Sequence, residues 1–208
     1  MRFCPGLCLN FVYIFFRHVD TLRNKGNLAN LMKDTADHVG ARALYEEVVE
    51  DQVLLLGASH ADTLNTKANL ALMLGEMGDA VAAKELYASI IAGNTAQIGA
   101  SHVDTLVDKG NLAELQVLTG ELKPAAAALP AVIAGLTAQM GPATRFTLIY
   151  RSALALLWQR QGKTAQAEET FREILPLQDA LGGARDPNAA KTRRRLAALE
   201  LGEIVAYP

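Results

Sequence analysis

Three histidines, His18, His60 and His102, recur 42 residues apart, each two positions ahead of an aspartate: Asp20, Asp62 and Asp104. Imidazole and carboxylate groups at short spacing are the raw material of metal sites and proton relays. Here each histidine opens a separate copy of one string: HVDTL, HADTL and HVDTL. Successive copies would lie a helix pair apart, at about 10 Å per helix, so no ion could be shared between them. The three therefore read as packing residues of connecting loops, and His38 stands isolated.

The other recurrent polar group is an amide. Asn27, Asn69 and Asn111 each open an Asn-Leu-Ala string at the same 42-residue step. A carboxamide donates and accepts at once, as a peptide bond requires of its partner. Lys25, Lys67 and Lys109 keep the period too, each two residues before an asparagine. Two residues turn a helix by about 200°, so lysine and asparagine face opposite ways. The lysines are expected to lay their stems on apolar surface and send the ammonium to water.

Reaction chemistry finds no support. There is no phosphate loop, nucleophile elbow or paired histidine-glutamate zinc motif. The carboxylates Glu46-Glu47 and Glu168-Glu169 read as solvent-facing charge. No enzyme, cofactor or metal is expected. A formal charge of −2 and pI of about 6.1 supply no basic field to attract nucleic acid. Cys4 and Cys8, the two cysteines, precede the first repeat and cannot staple the rest together.

The period defines the elements that must position these groups. It reaches Thr147-Leu148 with Ala153-Leu154-Ala155, then Leu196-Ala197. That recurrence marks a repeat array, in which each unit buries its apolar face against the next. In the clearest unit, Ser59 and Asp62 form a Ser-x-x-Asp capping box, repeated at Ser101 and Asp104. Helix A carries Leu64, Ala68, Leu70, Ala71, Met73 and Leu74 at helical spacing and stops at Gly78. Equivalent turns fall at Gly120, Gly162 and, in the first unit, Ala36. Helix B pairs a small residue (Ala41, Ala83, Ala125, Ala167) with a large one four positions on (Tyr45, Tyr87, Leu129, Phe171). Pro124 fits a first turn, whereas Pro130 should kink its helix.

The expected fold is an all-α array of antiparallel helix pairs, about four 42-residue units near 18–58, 59–100, 101–142 and 143–184. A capping helix follows over 186–203, with Asp186 as its cap and Pro187 at its first position. Its basic cluster, Lys191, Arg193, Arg194 and Arg195, reads as the solvated face of a terminal helix. Trp158 is expected in the core. Residues 1–17 are apolar from Leu7 to Phe16 and read as a lid on the first repeat or a truncated element. That stretch is short of the roughly 20 residues a spanning helix needs, so a membrane partner is not expected. A secretory signal is the other reading of the segment; cytoplasmic residence is the expectation.

The 42-residue unit, with His-x-Asp-Thr-Leu, Asn-Leu-Ala, a turn glycine and Ala-x-x-Leu-Tyr, resembles the tetratricopeptide (TPR) repeat of kinesin light chains over roughly residues 18 to 202. The string Asp186-Pro187-Asn188-Ala189-Ala190-Lys191-Thr192 is close to the opening of one such repeat. The resemblance implies a right-handed superhelical solenoid whose A helices line a concave peptide groove. It also implies that Asn27, Asn69 and Asn111 reach a bound peptide's backbone. Ala153 and Arg195 fill the same slot in the fourth unit and the capping helix. The residues before His18 show no heptads, so docking to a motor heavy chain through a coiled coil is not expected.

Positions −4, +3 and +7 from each asparagine share its stripe at about 100° per residue. The candidate groove is then Arg23, Asn27, Asn30 and Asp34; Asn65, Asn69, Leu72 and Glu76; Val107, Asn111, Glu114 and Leu118; Ile149, Ala153, Leu156 and Arg160. It turns from polar to apolar along the array. An extended peptide could lay its backbone on the amides and an apolar anchor near Val107, Leu118, Ile149 and Leu156. The same asparagines could instead bond neighbouring helices and set the stacking angle. The functional expectation is a non-catalytic adaptor for a protein or peptide ligand. The alternative is a regulatory or sensor segment of a larger multidomain protein, such as a nucleotide-switch ATPase.

Overall fold

The computed structural model describes residues 18–183 and 186–200. Residues 1–17, read above as a lid or a truncated element, lie outside them, as do residues 201–203 of the expected capping helix. The described residues form nine helices and no strand: α1 (Val19–Asp34), α2 (His38–Leu56), α3 (Ala61–Glu76), α4 (Ala80–Ile98), α5 (Val103–Leu118), α6 (Leu122–Met140), α7 (Arg145–Arg160), α8 (Thr164–Gly182) and α9 (Pro187–Glu200). A helices of 16 residues alternate with B helices of 19 from α1 to α8. The all-α class of paired antiparallel helices is what the structure shows.

The chain divides into two compact units, Met1–Gln97 and Ile98–Pro208. In the first, α1 packs on α2, α2 on α3, and α1 touches α3. Its core is Leu22, Ala29, Ala41, Tyr45, Val48, Leu64 and Met73 with Tyr87 and Ile90, all buried. In the second, each helix from α5 to α9 packs on the next, and α5 also meets α7. Here Leu129, Leu136, Leu148, Tyr150, Leu157 and Phe171 form one apolar cluster, against which Trp158 packs partly buried. The small-and-large pattern of the B helices is realised throughout: Ala41, Ala83, Ala125 and Ala167 are fully buried, as are Tyr45, Leu129 and Phe171.

Helix ends follow the period with one correction. The N-caps of α1, α3 and α5 are His18, His60 and His102, whose Nδ1 accepts from the amides of Asp20, Asp62 and Asp104 at 3.2–3.3 Å. Ser59 and Ser101 therefore do not cap; the histidine is one residue nearer the first helical turn and takes the orphan amide itself. The serine carbonyls instead accept from Gln97 and, at 2.7 Å, from Gln139 on the B helix of the same hairpin. Helix α6 runs through Pro130 and α8 through Pro176, both exposed. Asp186 caps α9 as expected, its carboxylate 2.7 Å from the Asn188 amide.

Turns after the A helices use a left-handed residue: Gly78, Gly120 and Gly162 at φ 86°, 84° and 79°, and Ala36 at 65°. An L-residue with a Cβ pays about 1–2 kcal/mol there, partly offset by the greater chain entropy of glycine, roughly 0.5–1 kcal/mol. Ala36→Gly is expected to stabilise the fold by about 0.5–1 kcal/mol, read as a rise in Tm. Two glycines at one repeat position should respond in opposite senses. A Cβ on Gly26 meets nothing within 4 Å, whereas one on Gly110 would overlap the Tyr150 ring. Gly26→Ala should gain about 0.5–1 kcal/mol of helix propensity. Gly110→Ala should lose about 1–3 kcal/mol to overpacking, and thermal melts of both variants check the pair.

Candidate functional site

The site begins at the junctions, because these bring one A helix beside the next. Gly57, Gly99 and Gly141 end α2, α4 and α6 with φ near 100°. Their carbonyls accept from Thr63, Thr105 and Thr147 at 2.9–3.0 Å, and all three threonines are fully buried. The threonine at this repeat position thus fastens the starts of α3, α5 and α7 to the preceding glycine, satisfying a carbonyl that the helix end leaves open.

The periodic cations serve the same scaffold, which corrects the expectation that they point to water. Lys67 is buried to 8% exposure and donates to the Ala58 carbonyl at 3.1 Å; Lys109 donates to Ala100 at 2.9 Å. Lys25 and, at the same position, Arg151 turn the other way, to Glu47 and Glu173 at 2.6 Å. The residue 22 positions on decides which. Where helix B offers a glutamate, the cation pairs forward; where it offers Ser89 or Ala131, the ammonium turns back to a junction carbonyl. Arg193 pairs with Asp179, so the cluster on α9 is only partly a solvated face.

The stripe residues fall into two environments. In the first unit Arg23, Asn27, Asn65, Asn69 and Leu72 are exposed, while Asn30 is half-buried and accepts from the Tyr45 hydroxyl at 2.5 Å. Asn27, Asn65 and Asn69 have no hydrogen-bond partner among the described residues. Arg23 lies 3.4 Å from Asp20 and 3.9 Å from Asp62 across on α3. Between α1 and α3 lies a cleft of about 120 Å³ bordered by Gly26, Asn27, Asn69, Thr66 and Gln52, among others. Gln52 is only 5% exposed, and its Oε1 has no partner.

In the second unit the corresponding space is full. Tyr150 occupies it, its hydroxyl 2.8 Å from both the Val107 carbonyl and Asn111 Oδ1, which share its one proton. Asn111 is therefore bonded within the chain. Leu156, expected on the groove, is 5% exposed in the core cluster, with Leu196 and Leu199 of α9 packed against the same cluster. Ala153 is likewise buried. Val107, Leu118 and Ile149 are half-buried against that core. Arg160 donates to the Leu118 carbonyl at 3.1 Å, and Arg195 to Ser152 Oγ at 3.1 Å. Burial pushes the Glu114 carboxyl above the usual carboxylate range, with Arg195 and then Lys191 opposing.

Three residues of this contrast were missed in the sequence: Gly26, Gln52 and Thr66. For Thr66 a signal was available in the column three before Asn27, Asn69, Asn111 and Ala153, which reads Asn24, Thr66, Asp108 and Tyr150. No group of three or more His, Cys, Asp or Glu among the described residues could hold a metal, and no described helix is long and apolar enough to cross a membrane.

This arrangement of junctions and paired helices is a TPR-like repeat fold. A tetratricopeptide repeat family matches residues 23–62. A Podosopora anserina protein described as a candidate kinesin light chain with nearly identical TPR-like repeats is similar in structure: TM-score 0.68, 22% identity, 88% of this chain and 87% of that one. BtubC (BKLC) from P. vanneervenii is also similar, with TM-score 0.69 and 18% identity over 88% of this chain and 72% of that one. No curated protein matches the chain in sequence.

Tyr45, which holds Asn30, provides a pH test. Burial chiefly, then the charges of Asp34 and Glu76, raise its phenol from 10.0 to about 12. The folded state keeps the proton longer than the unfolded state, so this contribution is whole below pH 10 and disappears as pH rises towards 12. Alkaline unfolding of the wild type should steepen over that window. In Tyr45→Phe the steepening should vanish, at lower overall stability from the lost bond to Asn30.

Proposed function

We propose that the protein is a non-catalytic interaction module that takes a peptide segment of a partner protein on the α1–α3 face of its first unit. One observation carries this reading. Exposed, unpartnered carboxamides on two neighbouring helices, Asn27 on α1 with Asn65 and Asn69 on α3, border a cleft that the chain leaves open. Their donors and acceptors match those of an extended backbone, and Arg23 and Asp62 line the same cleft. The second unit contrasts with it, since Tyr150 holds Asn111 and Leu156 is packed away. A kinesin light chain-like adaptor role is the finer form of this proposal, supported by the structural likeness to proteins described in those terms.

The experiment is a peptide-array screen followed by calorimetric titration of the strongest sequence. Asn27→Ala and Asn69→Ala should each weaken binding about three- to tenfold, the worth of one net hydrogen bond. Asn111→Ala should leave affinity unchanged. Undiminished binding by both first-unit variants would overturn the assignment.

A further inference from the structure

The two units carry the same backbone position in two states, and the comparison says what the open one takes. Gly26 and Gly110 are equivalent, 84 residues apart, as are Thr66 and Tyr150, Asn27 and Asn111, and Gln52 and Leu136. In the second unit a phenol ring lies against Gly110, with its hydroxyl on a carboxamide oxygen. In the first unit Thr66 is too short to fill the space, its hydroxyl turns to the Asp62 carbonyl at 3.0 Å, and nothing lies within 4 Å of where a Cβ on Gly26 would stand. The cleft that results, about 120 Å³, is of the order that admits a six-membered ring; a cavity of about 150 Å³ holds benzene.

A second observation is independent of that equivalence. Gln52 borders the cleft, nineteen-twentieths buried, with an amide oxygen that no donor reaches. A buried acceptor without a donor is costly, and a ligand's donor in the cleft would relieve it. At the equivalent position beside Tyr150 the chain puts Leu136, which carries no acceptor, while Gln178, at the same repeat position on α8, is buried and unpartnered like Gln52.

We infer that the α1–α3 cleft is a binding pocket for a tyrosyl side chain supplied by the partner, its ring over Gly26 and its hydroxyl donating to the Gln52 or Asn27 amide oxygen. The external tyrosine takes the place that Tyr150 takes from within. A phenylalanyl ring fits the same space but leaves the acceptor stranded, and a protonated amine would forgo the ring contact with Gly26. The pocket rests on the peptide-binding reading for its biological source, though not for its chemistry.

The test is NMR titration of the full chain, ¹⁵N-labelled, with N-acetyl-tyrosinamide and separately with N-acetyl-phenylalaninamide. The tyrosine probe should shift the Gly26 and Asn27 amides and the Gln52 side-chain amide, with affinity about fivefold above the phenylalanine probe. Thr66→Tyr, which fills the cleft from within, should abolish those shifts while raising Tm; Gln52→Leu combined with Asn27→Ala should equalise the two probes. Equal response to both probes in the wild type, no response at the solubility limit, or shifts that survive Thr66→Tyr would overturn the pocket. A tyrosine-selective response in a chain that binds no peptide on the array would remove the peptide reading and leave the pocket standing.

Discussion

A buried threonine hydroxyl on the carbonyl of a left-handed glycine sets everything else in this chain. Thr63, Thr105 and Thr147 each make that bond, at matching distances, to the glycine six residues earlier. Glycine is required because the B helix must reverse through positive φ, and threonine because the carbonyl so exposed is buried away from water. At α3 and α5 the histidine N-cap three residues before the threonine then satisfies the new helix's amide. With both ends bound, the A helix can leave the junction in only one register. Within each unit, neighbouring A helices therefore meet side by side, with equivalent residues in equivalent places.

Once register is set, single side chains decide which helix pair stays open. At the position of closest approach, Tyr150 against Gly110 closes one helix pair and satisfies Asn111. Thr66 beside Gly26 leaves the other pair open and its amides free. The cations obey the same local logic: Lys25 and Arg151 bind a helix B glutamate, while Lys67 and Lys109, lacking one, become struts for junction carbonyls. A repeat fold thus separates scaffold from site by column. Columns such as the Thr of the His-x-Asp-Thr-Leu string carry the stacking, and the column of Thr66 and Tyr150 carries the difference.

Much of the fold was legible in the sequence, because a 42-residue period with alternating A and B faces leaves few other solutions. Ala41 with Tyr45, and Ala167 with Phe171, could be paired from spacing alone. The cap was misplaced by one residue, since Ser59 is the commoner capping type and imidazole acceptance by His60 depends on loop geometry. The candidate stripe could be drawn from helical angle, but not which of its amides the chain itself takes up. Helical angle puts Asn69 and Asn111 in one row, yet it says nothing of a tyrosine 39 residues away that bonds Asn111. Leu156 was read as groove for the same reason: its burial in the core cluster against which Leu196 and Leu199 of α9 pack is a tertiary fact. Gln52 was invisible, because a glutamine near a helix end reads as surface until its neighbours are placed.

The most direct measurement is a crystal structure of the full chain soaked with p-cresol. The account predicts one ring over Gly26, its hydroxyl within hydrogen-bond reach of Gln52 or Asn27, and Tyr150 still bonded to Asn111. A closed space between α1 and α3 with the Gln52 amide paired inside the chain would contradict it, as would cresol seated elsewhere with that space empty.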